Sequence, residues 1–160
     1  MSVWIGRAAS SSFRRILNMT SLAFLRNLVF LKSLTLENCK KIQTFTHISC
    51  LRNLTRLSIR GVQGLHDISF LSNLYNIEVL IIETDALNSI QPLTHLKNIK
   101  ALALFGRNFV IKDKNLIPIK ALSQLSMLDI PNKNCYSEKI NNHWDWNDFG
   151  KPQTKWLTKK

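Results

Sequence analysis

The sequence predicts an α/β protein built as a solenoid, in which short units of chain stack in one direction. A phrase of the form apolar-x-x-Leu-x-apolar occurs five times, beginning at Leu31, Leu54, Ile77, Ile99 and Leu125. The steps between these starts are 23, 23, 22 and 26 residues. A repeat at near-constant spacing of this size is typical of stacked supersecondary units.

Each unit contains two apolar patterns. In the second half of the phrase apolar residues alternate with others, which indicates a strand. After a turn, further apolar residues follow at a spacing of three, which favours 3₁₀ or short helical segments. No unit can bury its apolar residues alone, so we expect the core to form between units. The second pattern comprises Ile42, Phe45, Ile48 and Leu51, then Leu65, Ile68, Leu71 and Leu74, then Leu87, Ile90, Leu93 and Leu96.

The repeats resemble those of the leucine-rich repeat superfamily, whose pattern is LeuxxLeuxLeuxxAsn/CysxLeu. The first unit matches it with Leu31, Leu34, Leu36 and Cys39, and the phrases at 67–74 and 89–96 are similar to the internalin-like subclass with repeats of 22–23 residues. The resemblance covers about two-thirds of the chain. It implies a right-handed solenoid of about five repeats, with a curved parallel sheet on the concave face and 3₁₀ or short helical segments on the outer face.

Two departures from this family pattern are visible. The Asn/Cys position holds Val62, Asp85 and Arg107 in the second, third and fourth units. In the family the Asn side chain hydrogen-bonds the turn backbone, so we expect these turns to be satisfied in another way. The fourth unit is also lengthened by residues 107–115.

Residues 31–134 are therefore expected to form the leucine-rich repeat domain. Residues 1–30 are expected to form an amphipathic cap helix, because terminal repeats need a cap. Its inward side would carry Phe13, Ile16, Leu17 and Leu22. The segment contains Arg and Ser, and no acidic residue precedes residue 37. A cleaved mitochondrial targeting segment is thus the alternative.

Residues 135–160 leave the repeat pattern and are rich in polar, aromatic and basic residues. We expect a C-terminal cap in which Trp144 or Trp146 covers the last unit. A flexible tail or a peptide-like interaction motif is the alternative.

Composition limits the partners and the compartment. Lys and Arg total 22 against 10 Asp and Glu, a net charge of +12 that favours contact with anionic surfaces. No apolar run is long enough to span a bilayer. The cysteines, Cys39, Cys50 and Cys135, include no CxxC pair, which indicates a reducing compartment. We predict a cytoplasmic protein, with a mitochondrial location as the alternative.

The alternating strand residues that do not face the core form columns on the concave face, because neighbouring strands lie about 4.8 Å apart. The first column is Ser33, Arg56, Val79, Ala101 and Met127; the second is Thr35, Ser58, Ile81, Ala103 and Asp129; the third is Glu37, Arg60, Glu83, Phe105 and Pro131.

These columns contain an apolar patch where solvent-facing residues would be expected. A contiguous exposed patch rimmed by polar groups indicates an interaction site. We predict that Val79, Ile81, Phe105 and Met127 anchor a partner, and that Arg56, Arg60 and Glu83 set its orientation. The alternative is that a terminal segment folds over the patch. The patch consists of Val79, Ile81, Ala101, Ala103, Phe105 and Met127.

The predicted function is a non-enzymatic protein–protein interaction module that is monomeric and needs no cofactor. The sequence contains no GxSxG, HExxH or P-loop motif, and Cys135, His143 and Asp145 lie in no context that would activate a thiol. His47 and His95 occupy matching positions without a third recurring ligand, so no metal site is expected.

Two alternative functions rest on the basic character and the fold. The protein could associate with nucleic acid or another polyanion through its basic outer surface and tail, with strong salt dependence. It could also be an adaptor subunit of a larger complex. The basic residues concerned are Lys97, Lys100, Arg107, Lys112, Lys114, Lys120, Lys151, Lys155, Lys159 and Lys160.

Overall fold

A computed structural model describes residues 10–14, 19–62, 64–136, 138–151 and 156–159. Its main element is a six-stranded parallel sheet in the order β1-β2-β3-β4-β6-β8. The five copies of the repeated phrase coincide with β2, β3, β4, β6 and β8, which confirms the predicted sheet. The strands are β1 (Ser10–Arg14), β2 (Ser33–Glu37), β3 (Arg56–Arg60), β4 (Val79–Glu83), β5 (Ala86–Leu87), β6 (Ala101–Phe105), β7 (Val110–Ile111), β8 (Met127–Asp129), β9 (Glu138–Ile140) and β10 (Leu157–Lys159).

Short helical segments return the chain from one strand to the next, as the spacing of three predicts. Four 3₁₀ segments and the single-turn helix α1 (Ile117–Lys120) pack side by side in chain order. A fifth 3₁₀ segment, Trp146–Asp148, lies in the C-terminal region. The four in the array are Ala23–Asn27, Thr46–Cys50, Ser69–Asn73 and Gln91–His95.

A polar residue two positions before each segment of this array starts the turn. Its side-chain oxygen accepts a hydrogen bond from the first backbone N–H of the segment, at 2.8–3.4 Å. Such local bonds favour turns over longer helices. The steps between these residues repeat those between the strands. They are Ser21, Thr44, Asp67, Ser89 and Asn115.

The core lies between the sheet and the helical segments. Strand residues at one depth are all buried, namely Leu34, Leu57, Leu80, Leu102 and Leu128. They belong to one cluster with Leu25, Ile48, Leu71, Leu93 and Ile119 from the helical side. Full burial of one such side chain contributes roughly 1.5–3 kcal/mol. Because these residues come from different units, burial stabilises the stack rather than any single unit.

An asparagine ladder ties the units together at the turns that precede the strands. Each Nδ2 donates to a backbone carbonyl of the unit before it, at 2.8–3.0 Å. The ladder therefore lies at the opposite ends of the strands from the family's Asn/Cys position. Its bonds run from Asn53 to Val29, from Asn76 to Arg52 and from Asn98 to Tyr75.

The turns that follow the strands are satisfied by other means. The buried Thr84 hydroxyl donates to the Leu65 carbonyl at 2.8 Å, and the Thr84 N–H donates to the Phe105 carbonyl at 2.8 Å. Gly106 occupies the equivalent place one unit later. A Cβ there would clash with the Thr84 carbonyl oxygen, so only glycine allows this approach.

The N-terminal region differs from the expected cap helix. Residues 10–14 form β1, which pairs in parallel with β2 from Ser10↔Ser33 to Arg14↔Glu37. Pairing satisfies backbone groups that β2 would otherwise leave at a sheet edge. The sheet thus begins before residue 31, and Leu22 is buried as expected. Ile16 and Leu17 lie outside the described residues, and a targeting segment within 1–30 stays a prediction.

The lengthened fourth unit is held from the C-terminal side. Its β7 pairs in parallel with β5, and the buried Tyr136 hydroxyl accepts a hydrogen bond from the Ile111 N–H at 2.9 Å. Burial raises the pKa of the Tyr136 phenol. Tyr136 therefore extends the core of the repeats into the C-terminal region.

The tryptophan that packs on the core is not one of the two expected. Strands β9 and β10 pair antiparallel, and Trp156 is buried in the main core cluster with Tyr136 and Ile140. Trp144 is exposed, and the Trp146 side chain lies outside the described part of the chain.

Within the described residues, no helix is both long and apolar enough to cross a bilayer.

We expect Asn76→Ala to lower the free energy of unfolding by about 0.5–1.5 kcal/mol, because it removes one hydrogen bond between units. The measurement is urea unfolding followed by circular dichroism. Asn73→Ala is the matched control, since the exposed Asn73 makes no bond of the ladder. Equal stability of both variants would contradict a structural role for the ladder.

Tyr136→Phe should lower the free energy of unfolding by about 1–3 kcal/mol at neutral pH, because the Ile111 N–H loses its acceptor. Because the folded-state pKa is raised, the protonated Tyr136 phenol makes its full contribution to stability at pH values below the ordinary tyrosine pKa of 10.0. This contribution is lost as the pH rises through the folded-state pKa. The gap between wild type and variant should therefore narrow above pH 10.0. Tyr75→Phe, at an exposed tyrosine, is the control in the same unfolding series, and a gap independent of pH would refute the assignment.

Candidate functional site on the concave face

The strand register produces the predicted columns on the concave face. In the first column Ser33 pairs with Arg56, Arg56 with Val79, Val79 with Ala101 and Ala101 with Met127. The second column likewise joins Thr35, Ser58, Ile81, Ala103 and Asp129. In the third column the register pairs Glu37 with Arg60 and Glu83 with Phe105.

The C-terminal segment covers one half of this face. Val79, Ala101 and Met127 form a small cluster separate from the main core, against which Ile81 and Phe149 pack. Val79 is 6% exposed and Met127 is 0% exposed. The expectation that these two side chains face solvent is therefore wrong. In this half Phe149 of the C-terminal segment packs on the patch, as in the alternative given above.

Several contacts hold Phe149 in place. The Gly150 N–H donates to Ser126 Oγ at 3.0 Å, and Ser126 Oγ donates to the Lys100 carbonyl at 2.9 Å. The Lys100 ammonium lies 5.5 Å from the centroid of the Phe149 ring. Such a cation–π contact contributes about 0.5–1 kcal/mol at exposed sites. Lys100 also pairs with Glu78 at 3.2 Å, so its head group is fixed from two sides.

Backbone pairing fixes the start of the same segment. Leu128 and His143 form an antiparallel bridge, with N–H to carbonyl distances of 2.7 and 2.9 Å. His143 Nε2 lies 2.8 Å from Asp148 Oδ2, and this hydrogen bond, followed by that from Lys151, lowers the pKa of the Asp148 carboxyl. Because the folded-state pKa is lowered, the ionised Asp148 stabilises the segment at pH values above the ordinary pKa of an Asp carboxyl. That contribution is lost as pH falls through the folded-state value.

Cys135, His143 and Asp145, from which no catalytic site was expected, have the following surroundings. His143 contacts Asp148, while Asp145 accepts hydrogen bonds from Asn147. Among the described residues no three His, Cys, Asp or Glu side chains are placed to hold a metal ion.

The other half of the face stays open, and it comprises β2, β3 and the C-terminal ends of β4 and β6. Arg56 and Arg60 are exposed, and Ile81, Glu83 and Phe105 are half-buried. The open half contains a shallow groove of about 200 Å³. It is lined by Ser33, Leu34, Thr35, Arg56, Leu57, Ser58, Val79 and Ile81.

The structure thus brings together five of the seven predicted partner-binding residues at an accessible surface. These five are Arg56, Arg60, Ile81, Glu83 and Phe105, while Val79 lies in the groove wall and Met127 lies under Phe149. Within the part of the chain that the structure describes, Arg60 and Glu83 form no ion pair. Both charges are available to a partner.

Phe149→Ala should lower the free energy of unfolding by about 1–3 kcal/mol, less than for a fully buried phenylalanine because the ring is half-exposed. It should also increase the fluorescence of a dye that binds apolar surface, since Val79 and Met127 lose their cover. Thermal unfolding and dye titration measure the two effects. Tyr75→Ala, at an exposed aromatic residue, is the control. Unchanged dye binding would show that Phe149 does not shield the patch.

Comparison with known proteins supports the fold. No protein-family model and no curated protein matches the sequence. Among solved structures, an internalin from Listeria monocytogenes is similar, with a TM-score of 0.62 and 22% identity over 72% of this chain. The match spans 32% of that internalin. The chain therefore has a leucine-rich repeat fold like that of the internalin.

Proposed function

We propose that the chain is a non-enzymatic protein-interaction module that binds its partner on the open half of the concave face. The observation that carries this proposal is the accessible groove beside Ile81, where charged residues adjoin an apolar surface. An accessible surface with an apolar centre and a charged rim is typical of protein interfaces. The leucine-rich repeat fold is consistent with such a role, although folds host many functions.

In this proposal Ile81 and Phe105 are the anchors. Both are half-buried, so their backbones and rotamers are held by neighbours while part of each side chain remains available. Arg56, Arg60 and Glu83 fix the orientation of the partner. Aromatic and Arg residues tend to dominate interface energies.

The covered residues take a secondary role. Val79 contacts the partner through the groove wall. Met127 contacts it only where the segment that carries Phe149 is displaced. We place the module in the cytoplasm, with the mitochondrion as the alternative, and an adaptor role in a larger complex is compatible with it.

Polyanion binding is the second candidate function, because four of the basic residues lie exposed outside the concave face: Lys97, Arg107, Lys112 and Lys114. Other members of the predicted basic set have acidic partners. Lys120 pairs with Glu138 at 2.7 Å, and Lys100 pairs with Glu78 at 3.2 Å. This pairing reduces the positive charge that a polyanion would meet.

The double variant Ile81→Ser/Phe105→Ser should lose at least tenfold of its partner binding, because two anchors of about 1–2 kcal/mol each are removed. The measurement is a pull-down from nuclease-treated lysate of the source cells, followed by quantitation of the bound protein. The matched control is Tyr75→Ser/Ile117→Ser, which removes two exposed apolar side chains elsewhere.

Retention of the same protein by both double variants would contradict the concave-face proposal. Material that nuclease removes, and whose binding falls by orders of magnitude between low and physiological salt, would instead establish polyanion binding. Thermal unfolding of each variant verifies that it is folded at the temperature of the assay.

A further inference from the structure

We infer that the groove on the open half of the concave face binds a peptide segment in which an acidic side chain adjoins an aliphatic one. This inference rests on the proposed function and names the chemistry of its partner. The groove has two kinds of wall. Ser33, Thr35 and Ser58, which carry hydroxyl groups, line one part, and the aliphatic residues Val79 and Ile81 line the other.

The size of the groove favours a side chain over a small molecule. Its volume is about 200 Å³. Pockets for small ligands and cofactors usually measure about 300–1,000 Å³ and enclose most of the ligand. A shallower and smaller groove suits one or two side chains of a longer partner, which contacts the surrounding strands as well.

The charge at the groove favours an anionic partner. Arg56 lies in its wall and is exposed, and no carboxylate of the described residues lies within ion-pairing distance of its guanidinium. The planar guanidinium can donate two parallel hydrogen bonds to one carboxylate. The neighbouring hydroxyls can donate further bonds to the same anion. A carboxylate side chain of the partner therefore fits this wall.

The surroundings reinforce the preference. Residues 19–83, which include the three strands that line the groove, contain seven Lys and Arg and four acidic residues. This excess of positive charge speeds the approach of an acidic partner and discriminates against basic partners. An acidic segment is therefore expected to approach faster than a neutral one and to bind more tightly.

The covered half of the face shows how the apolar part of the partner is held. Phe149 already rests on the cluster formed by Val79, Ala101 and Met127, and Ile81 packs against the same cluster. Val79 belongs both to this cluster and to the wall of the groove. An aliphatic side chain seated on Ile81 would therefore lie beside Phe149 and extend the same apolar surface.

The test is a selection from a displayed library of random octapeptides on the immobilised full-length chain. The wild type should enrich peptides with Asp or Glu next to Leu, Ile or Val. Synthetic copies of the enriched peptides should bind about tenfold more weakly to Arg56→Gln, as expected for loss of a hydrogen-bonded charge pair. Arg52→Gln removes the same charge from an exposed turn residue and should change the affinity less than about twofold. Arg56→Glu should enrich Lys and Arg instead.

Each other result overturns the inference. No enriched peptide, enriched peptides without acidic residues, or equal losses in Arg56→Gln and Arg52→Gln would all do so. Acid-free peptides that no longer bind Ile81→Ser/Phe105→Ser would leave the concave-face proposal standing and remove only its acidic partner. Peptides that bind this double variant as well as wild type would remove both.

Discussion

The structure depends on one constraint, which is that each unit must return to a position one strand spacing from where it started. Parallel strands lie about 4.8 Å apart, and a unit that returns elsewhere cannot bury its leucines. The short 3₁₀ segments meet this constraint in 22 or 23 residues. The asparagine ladder and the polar residues at the start of each segment fix the turns. Where the fourth unit is longer, the added chain forms β7 beside β5 instead of shifting the next strand.

The repeats were predictable because the same physical requirement acts at every unit. A residue such as Leu57 or Leu80 must face the core, so its position recurs at the step of the stack. Parallel pairing without slippage then places equivalent residues in columns. The first strand was not predictable in this way, because Ser10–Arg14 lacks the leucine phrase and is recognised only by its pairing with β2.

The site was predictable only in part. Alternation along a strand determines the face toward which a side chain points, and this placed Ile81 and Met127 correctly on one face. It carries no information about what lies above that face. Phe149 belongs to a segment without periodicity, so no sequence pattern predicts its contact with the repeats. The burial of Trp156 rather than Trp144 could not be predicted for the same reason, because this segment also lacks periodicity.

The cover that Phe149 provides has a consequence for synthesis. Chains are made from the N-terminus, and domains begin to fold while the remainder is still being added. Strands β4, β6 and β8 can assemble once residue 129 has left the ribosome, but residue 149 follows later. During this interval Val79, Ala101 and Met127 are open to solvent on a nascent chain. The apolar surface of the assembled repeats is therefore fully covered only after the segment that carries Phe149 has been added.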